Sequence, residues 1–168
     1  MSTRTTSIRR AREADIGGLS RVFDASWREA YRGIIPGVAL ERLIASRDRA
    51  WWRGALRRGR PVAVVETGDL LVGYASYGRT RSRTLGTEGE IDELYLLPEY
   101  QGVGLGRRLF RAVRNDLSDH GLTQLGVWSL EDNDRAGAFY EGLGGRPGPR
   151  TLDRMAGLAL PKVGYLFG

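Results

Sequence analysis

The sequence predicts an α/β fold built on a mixed sheet, and three observations carry that prediction. Helical apolar periodicity comes first, strand-like segments follow, then strand, helix, strand and helix alternate, and strands close the chain. A glycine-rich hexapeptide joins a predicted strand to a predicted helix. Hydrophobic residues make up 41% of 168 positions, enough for one core and too few for two comfortable ones, so residues 1–168 read as a single domain.

Taken in order, residues 6–10 suit a short edge strand. Asp15 is placed to cap a helix carrying Ile16, Leu19, Val22, Phe23 and Trp27 at the helical period. Residues 31–36 break that helix, and Pro36 suits the start of another with Leu40, Leu43 and Ile44 inward. Trp51, Trp52, Ala55 and Leu56 mark a further turn or helix. Residues 61–66, 70–77 and 90–97 read as strands, the first two joined by a Gly68-Asp69 hairpin turn, with a polar loop over 79–89. Leu105, Leu109, Val113 and Leu117, with Phe110 beside them, fall on one face of a helix. Residues 123–129 form a strand, and 133–143 a helix with Ala136, Phe139, Tyr140 and Leu143 on one face. The remainder is rich in Gly and Pro and holds one or two terminal strands, 163–167 being the best candidate.

Composition excludes several chemistries. There is no cysteine, hence no disulfide, thiol nucleophile or cysteine metal site. His120 is the one histidine, which excludes multi-histidine metal sites and disfavours a Ser-His-Asp mechanism. It precedes Gly121 at a predicted helix end and complements the helix dipole there. Residues 1–12 are polar and basic without an apolar core, and no apolar run approaches spanning length, so no secretory signal and no membrane partner are expected and the location expected is cytoplasmic. Net charge is +6, and every basic residue but Lys162 is arginine. The arginines are scattered rather than massed, which favours an anionic small-molecule site over nucleic acid. The apolar terminal strand could pair across a homodimer.

Gln101-Gly102-Val103-Gly104-Leu105-Gly106 is the most informative stretch. Glycine lets backbone approach a ligand closely, and a helix start adds unpaired N–H groups and partial positive charge. Together these make a phosphate cradle, and Arg107, Arg108, Arg111 and Arg114 lie on the same helix. The alternative is a tight turn with no ligand. A Rossmann dinucleotide site is disfavoured, because the loop comes late and lacks the G-x-G-x-x-G spacing.

The segment 89–145 resembles the GNAT superfamily of acetyl-CoA-dependent N-acetyltransferases. Glu90-Ile91 through Leu97-Pro98, the glycine hexapeptide as a Q/R-x-x-G-x-G/A loop, and Asn133…Ala136…Tyr140 as an N-x-x-A-x-x-x-Y helix carry the resemblance in the family's order. It implies a mixed, mostly antiparallel sheet splayed into a V, flanked by helices on both faces, with acetyl-CoA in the opening as co-substrate. It implies cofactor contacts from Leu96, Gln101, Gly102, Val103, Gly104, Leu105, Gly106, Arg107 and Asn133. Pyrophosphate would sit on the loop N–H groups and pantetheine along the backbone near Leu96. It also implies an amine acceptor.

Acetylating an amine requires a neutral nucleophile, whereas an alkylammonium titrates near ~10.4. A carboxylate can remove the proton, and a tyrosine can protonate the departing thiolate. Tyr140 is the candidate acid; its alternative is a core aromatic in a stripe with Phe139 and Leu143. Glu90 and Glu93 are the candidate bases, with Asp92 competing. Strand alternation puts Glu90 and Asp92 on one face and Glu93 on the other, unless a bulge intervenes. Trp27 and Tyr31 could shape an acceptor pocket or be ordinary core. The reading is an N-acetyltransferase working by direct attack in a ternary complex. A non-catalytic acyl-CoA sensor and a basic nucleic-acid-binding domain are the alternatives.

Overall fold

The computed structural model describes residues 4–168; the first three residues of the polar N-terminal stretch lie outside the described residues. The chain runs β1 (Thr6–Arg10), α1 (Ile16–Tyr31), α2 (Gly37–Ser46), α3 (Arg49–Arg57), β2 (Val62–Thr67), β3 (Leu70–Arg79) and β4 (Gly89–Leu96). It continues as α4 (Leu105–Asp119), β5 (Leu125–Leu130), α5 (Asp134–Gly142), β6 (Arg146–Met155) and β7 (Leu158–Phe167). One seven-stranded sheet takes the order β1-β2-β3-β4-β5-β7-β6.

Neighbouring strands are antiparallel throughout except β4 and β5. That parallel pair is short, matching Gly89, Glu90 and Ile91 to Leu125, Gly126 and Val127. Beyond Ile91 the strands part. The rest of β4 stays on β3, and Trp128 to Leu130 stay on β7. The sheet therefore opens into a V at its centre.

Apolar periodicity decides which helix covers which face. Trp52 of α3 meets Tyr74 edge-on at 5.3 Å, and Trp27 of α1 lies 6.4 Å from Tyr95, so α1 and α3 cover the Tyr74 side. Helix α4 covers the opposite side, with Phe110 4.8 Å from Phe167 and Asp116 accepting from Tyr77 Oη at 2.6 Å. Phe139 of α5 packs beside Gly106 of α4 on that same side. No helix among the described residues is long and apolar enough to cross a membrane.

One sequence expectation is corrected and another is met at its upper bound. Asp15 does not cap α1; no side-chain bond caps that helix. Its carboxylate instead takes Arg9 Nη1 and Nη2 at 2.8 and 2.9 Å and the Arg12 N–H at 2.7 Å, closing the turn before α1. The Gly- and Pro-rich tail holds two full strands of ten residues each. Pro147 and Pro149 are tolerated because β6 is a sheet edge, where a missing N–H costs no ladder bond.

The Arg9 fork, followed by the Arg12 N–H, holds the Asp15 carboxyl below the usual carboxylate range. A folded-state pKa below the unfolded one stabilises fully above about pH 3.9 and is lost as pH falls through the folded value. Asp15→Asn is therefore expected to cost about 1–2 kcal/mol near neutral pH. Urea melts should show the gap from wild type narrowing as pH falls below about 3.9; a gap that does not narrow at all on acidification would remove the ion pair as its cause.

Candidate active site

The glycine loop forms because two of its residues adopt positive φ. Gly102 stands at +76° and Gly104, the N-cap of α4, at +87°. The first helical bond runs from Arg108 N to Gly104 O at 3.1 Å, so the N–H groups of Leu105, Gly106 and Arg107 have no intrahelical acceptor. No side chain caps them and no acidic residue occupies the first turn. These donors and the helix dipole point at one spot outside the loop. Gly106 has a second reason to be glycine: a Cβ there would lie 3.1 Å from the Phe139 ring and 3.4 Å from Leu96.

The V exposes backbone of β4. Leu97 N donates to Val72 O at 2.8 Å, and antiparallel bonding alternates along a ladder. Tyr95 and Glu93 therefore bond toward β3, while Leu94 and Leu96 turn their peptide groups toward the opening. The Leu96 carbonyl is already satisfied by Ser26 Oγ at 3.0 Å and Gln101 Nε2 at 3.1 Å. What remains is a short strand edge: the Leu94 N–H and C=O and the Leu96 N–H. The Gln101 side chain thus fixes the end of β4 instead of facing the loop's donors.

Across the gap, Asn133 Oδ1 caps α5 from the Ala136 N–H at 3.2 Å, leaving its Nδ2 free to donate. Tyr140 follows two turns later, 6% exposed, its ring 5.2 Å from Phe139 and 5.7 Å from Tyr165. Burial pushes its hydroxyl above the ordinary tyrosine range. That hydroxyl bonds no described residue, yet it is not among the buried polar atoms left without a partner. Tyr140 and Asn133 line one cavity of about 810 Å³ together with Leu94 and Tyr95 of β4.

The far side of that cavity carries three carboxylates. A bulge at Asp92 shifts the register, so that Glu93 pairs with Ser76 and Ile91 with Tyr77. Simple alternation is therefore overturned: the extra residue returns Glu93 to the face of Glu90, and both line the cavity with Asp92. Their environments differ. Asp92 is gripped by Arg60 Nε and Nη2 at 2.5 and 2.8 Å and by Arg81 at 3.2 Å. Glu93 takes Arg47 Nη1 at 2.7 Å and Tyr74 Oη at 3.3 Å. Glu90, 8% exposed, accepts the Arg81 N–H at 3.0 Å and Thr80 Oγ1 at 3.5 Å, and has no ion-pair partner among the described residues. Above them Tyr31 Oη and Tyr95 Oη are 2.9 Å apart, and burial pushes Tyr31 up to about 12.

The structure brings Glu90, Glu93, Asn133 and Tyr140 around one cavity; the glycine loop is not part of its lining. Instead Gly106 packs on Leu96, which joins the loop to the end of β4. Sequence reasoning missed Arg47, which follows a helix end in no recognisable pattern, and Arg60, which grips Asp92 at the bulge from a distant loop.

The sequence model of the Acetyltransferase (GNAT) family matches residues 20–144. The N-acetyltransferase YuaI of Bacillus subtilis (strain 168) is 33% identical over 158 residues, covering 94% of this chain and 90% of that one. The L-amino acid N-acyltransferase MnaT of Escherichia coli (strain K12) is 26% identical over 169 residues, covering 96% and 87%. The PaiA N-acetyltransferase of Thermoplasma acidophilum, in complex with coenzyme A, superposes with a TM-score of 0.75 at 18% identity over 95% of this chain and 98% of that one. At that identity it speaks for the fold alone.

Proposed function

This chain belongs to the acetyltransferase (GNAT) family, and on that premise we propose that it transfers the acetyl group of acetyl-CoA to a primary amine by direct attack in a ternary complex. One observation carries the reading. The splay of β4 from β5 leaves an unpaired strand edge at Leu94 and Leu96, with the α4 donors at one end and Tyr140 on the opposite wall. An amide-bearing chain ending in a diphosphate fits that combination: the edge offers it alternating donors and an acceptor, and the loop offers N–H groups to the phosphates.

Acetyl-CoA supplies a thioester whose acyl carbon an amine nitrogen attacks as the C–S bond breaks. The Leu105, Gly106 and Arg107 N–H groups hold the pyrophosphate, with Gly102, Val103 and Gly104 shaping the turn. Asn133 Nδ2 donates to the pantetheine arm. The Leu96 N–H aligns that arm, its carbonyl being fixed by Gln101 and Ser26. Glu90 receives the amine proton at its carboxylate, directly or through water, because no guanidinium neutralises it. Glu93, tied to Arg47 and Tyr74, orients the acceptor side. Tyr140 Oη, protonated at neutral pH as any tyrosine that is not shifted downward, gives its proton to the departing sulfur. Holding both substrates in line contributes alongside this proton traffic.

Retention of Tyr140 in the cleft, its hydroxyl without a protein partner, favours turnover over a silent sensor. Free-CoA release across an amine library, with an amine-free control, tests the reaction itself. Acetyl-CoA at a hundredfold excess over its dissociation constant is expected to stabilise the fold by about 2.7 kcal/mol. A melt unmoved by millimolar acetyl-CoA and CoA would remove the whole reading.

A further inference from the structure

Resting on the acetyltransferase reading above, we propose that Arg47 recognises a carboxylate on the acceptor, so that the amine acetylated belongs to a small molecule that also carries a carboxylate.

Arg47 is held in an unusual place for a guanidinium. Its Cζ lies 4.1 Å from the Trp51 ring centre and 4.3 Å from that of Phe23, with Trp27 and Trp52 each at 5.8 Å. The side chain is 19% exposed and lines the acceptor side of the cavity. Such a cage fixes the plane of the fork and removes much of its water. A guanidinium so enclosed is costly unless its donors are used. Yet only Nη1 has a partner, Glu93 Oε1 at 2.7 Å. Neither Nε nor Nη2 donates to a described residue, and neither is among the buried polar atoms without a partner, so both keep some accessible surface on a side chain that lines the cavity.

The neighbouring cations are differently placed. Arg60 is committed to Asp92 through two nitrogens, and Lys162 sits over Trp128 with Asp153 3.8 Å away. Arg47 therefore presents a rigid, partly unused fork beside the Tyr31–Tyr95 hydroxyl pair. A planar monoanion matches it. Glu93 weighs between anions: it already supplies one negative charge to Arg47, so a singly charged carboxylate suits this fork better than a doubly charged phosphate, although Arg58, Arg79, Arg81 and Lys162 also line the cavity. A carboxylate held on Arg47 leaves its amine free to face Glu90 and the β4 edge.

The experiment pairs L-amino acids with their amides, and phosphoethanolamine with ethanolamine, and reads kcat/KM by CoA release. The free acids are expected to be preferred over the amides by on the order of 10- to 100-fold. The amides offer more neutral amine at a given pH, so amine basicity cannot produce that preference. Arg47→Gln should collapse the ratio toward one through KM for the acids, and Arg47→Lys should restore part of it. The acetyl-CoA thermal shift reports that each variant is folded. Equal turnover of acids and amides by the wild-type protein, a preference for phosphoethanolamine, or an Arg47→Gln variant that keeps the acid preference would overturn the assignment. So would no turnover of any acid while acetyl-CoA still binds. The wild-type ratio decides even if a variant fails to fold. Absence of acetyl-CoA binding would instead remove the underlying reading.

Discussion

Tyr140→Phe is expected to lower kcat on the order of 10²-fold, with acetyl-CoA affinity and melting temperature close to wild type. The substitution keeps the ring that packs on Phe139 and Tyr165 and deletes only Oη. Because no described residue bonds that hydroxyl, its removal leaves no protein donor or acceptor orphaned. On sequence alone, replacing a merely structural Tyr140 would cost about 1 kcal/mol through a lost hydrogen bond. In the structure that bond does not exist, so stability should stay flat in either case and kcat alone separates the acid from the core aromatic. Burial holds the Tyr140 hydroxyl above its ordinary value, so it stays protonated through the neutral range whichever role it has. Full activity in the variant would return Tyr140 to the core and assign the proton to water or another donor.

The candidate site was legible in the sequence wherever backbone chemistry demands a residue type. Positive φ at Gly102 and Gly104 needs glycine, and the Asn133 cap needs a short polar side chain. Those requirements leave marks at fixed spacing. The carboxylate arrangement left none, because the bulge at Asp92 is a register event between two strands and has no local signature. Without it, Glu93 would have faced away from Glu90. Arg47 was invisible for a related reason: four aromatic rings from two helices enclose it, and only tertiary packing brings them together. The tail holds more strand than its composition suggests, because prolines argue against strands in general but not against an edge strand such as β6. Leu85, within a loop that reads as polar, is buried over the β5–β7 face.

Gly104→Val is expected to abolish most acetyl-CoA affinity while the protein still folds, and the contrast with Gly106→Val makes the result interpretable. On sequence alone the two substitutions look equivalent, each placing a side chain on the cradle. The structure separates them. A Cβ at Gly104 meets nothing within 4 Å, so it enters open space beside the loop's donors and creates no clash. Its cost to folding is the strain of a branched residue at φ +87°, about 1–2 kcal/mol, which a domain of this size can absorb. A Cβ at Gly106 instead falls 3.1 Å from Phe139 and 3.4 Å from Leu96, so valine there pushes α4 off both α5 and the end of β4. Gly106→Val should therefore lose stability and affinity together and cannot isolate the cradle. For Gly104→Val, calorimetry should show the dissociation constant rising on the order of 10²-fold. At a fixed ligand concentration a hundred times the wild-type constant, the stabilisation then drops from about 2.7 to about 0.4 kcal/mol. A folded Gly104→Val protein that binds acetyl-CoA as tightly as wild type would mean that the α4 donors are not where the phosphates sit.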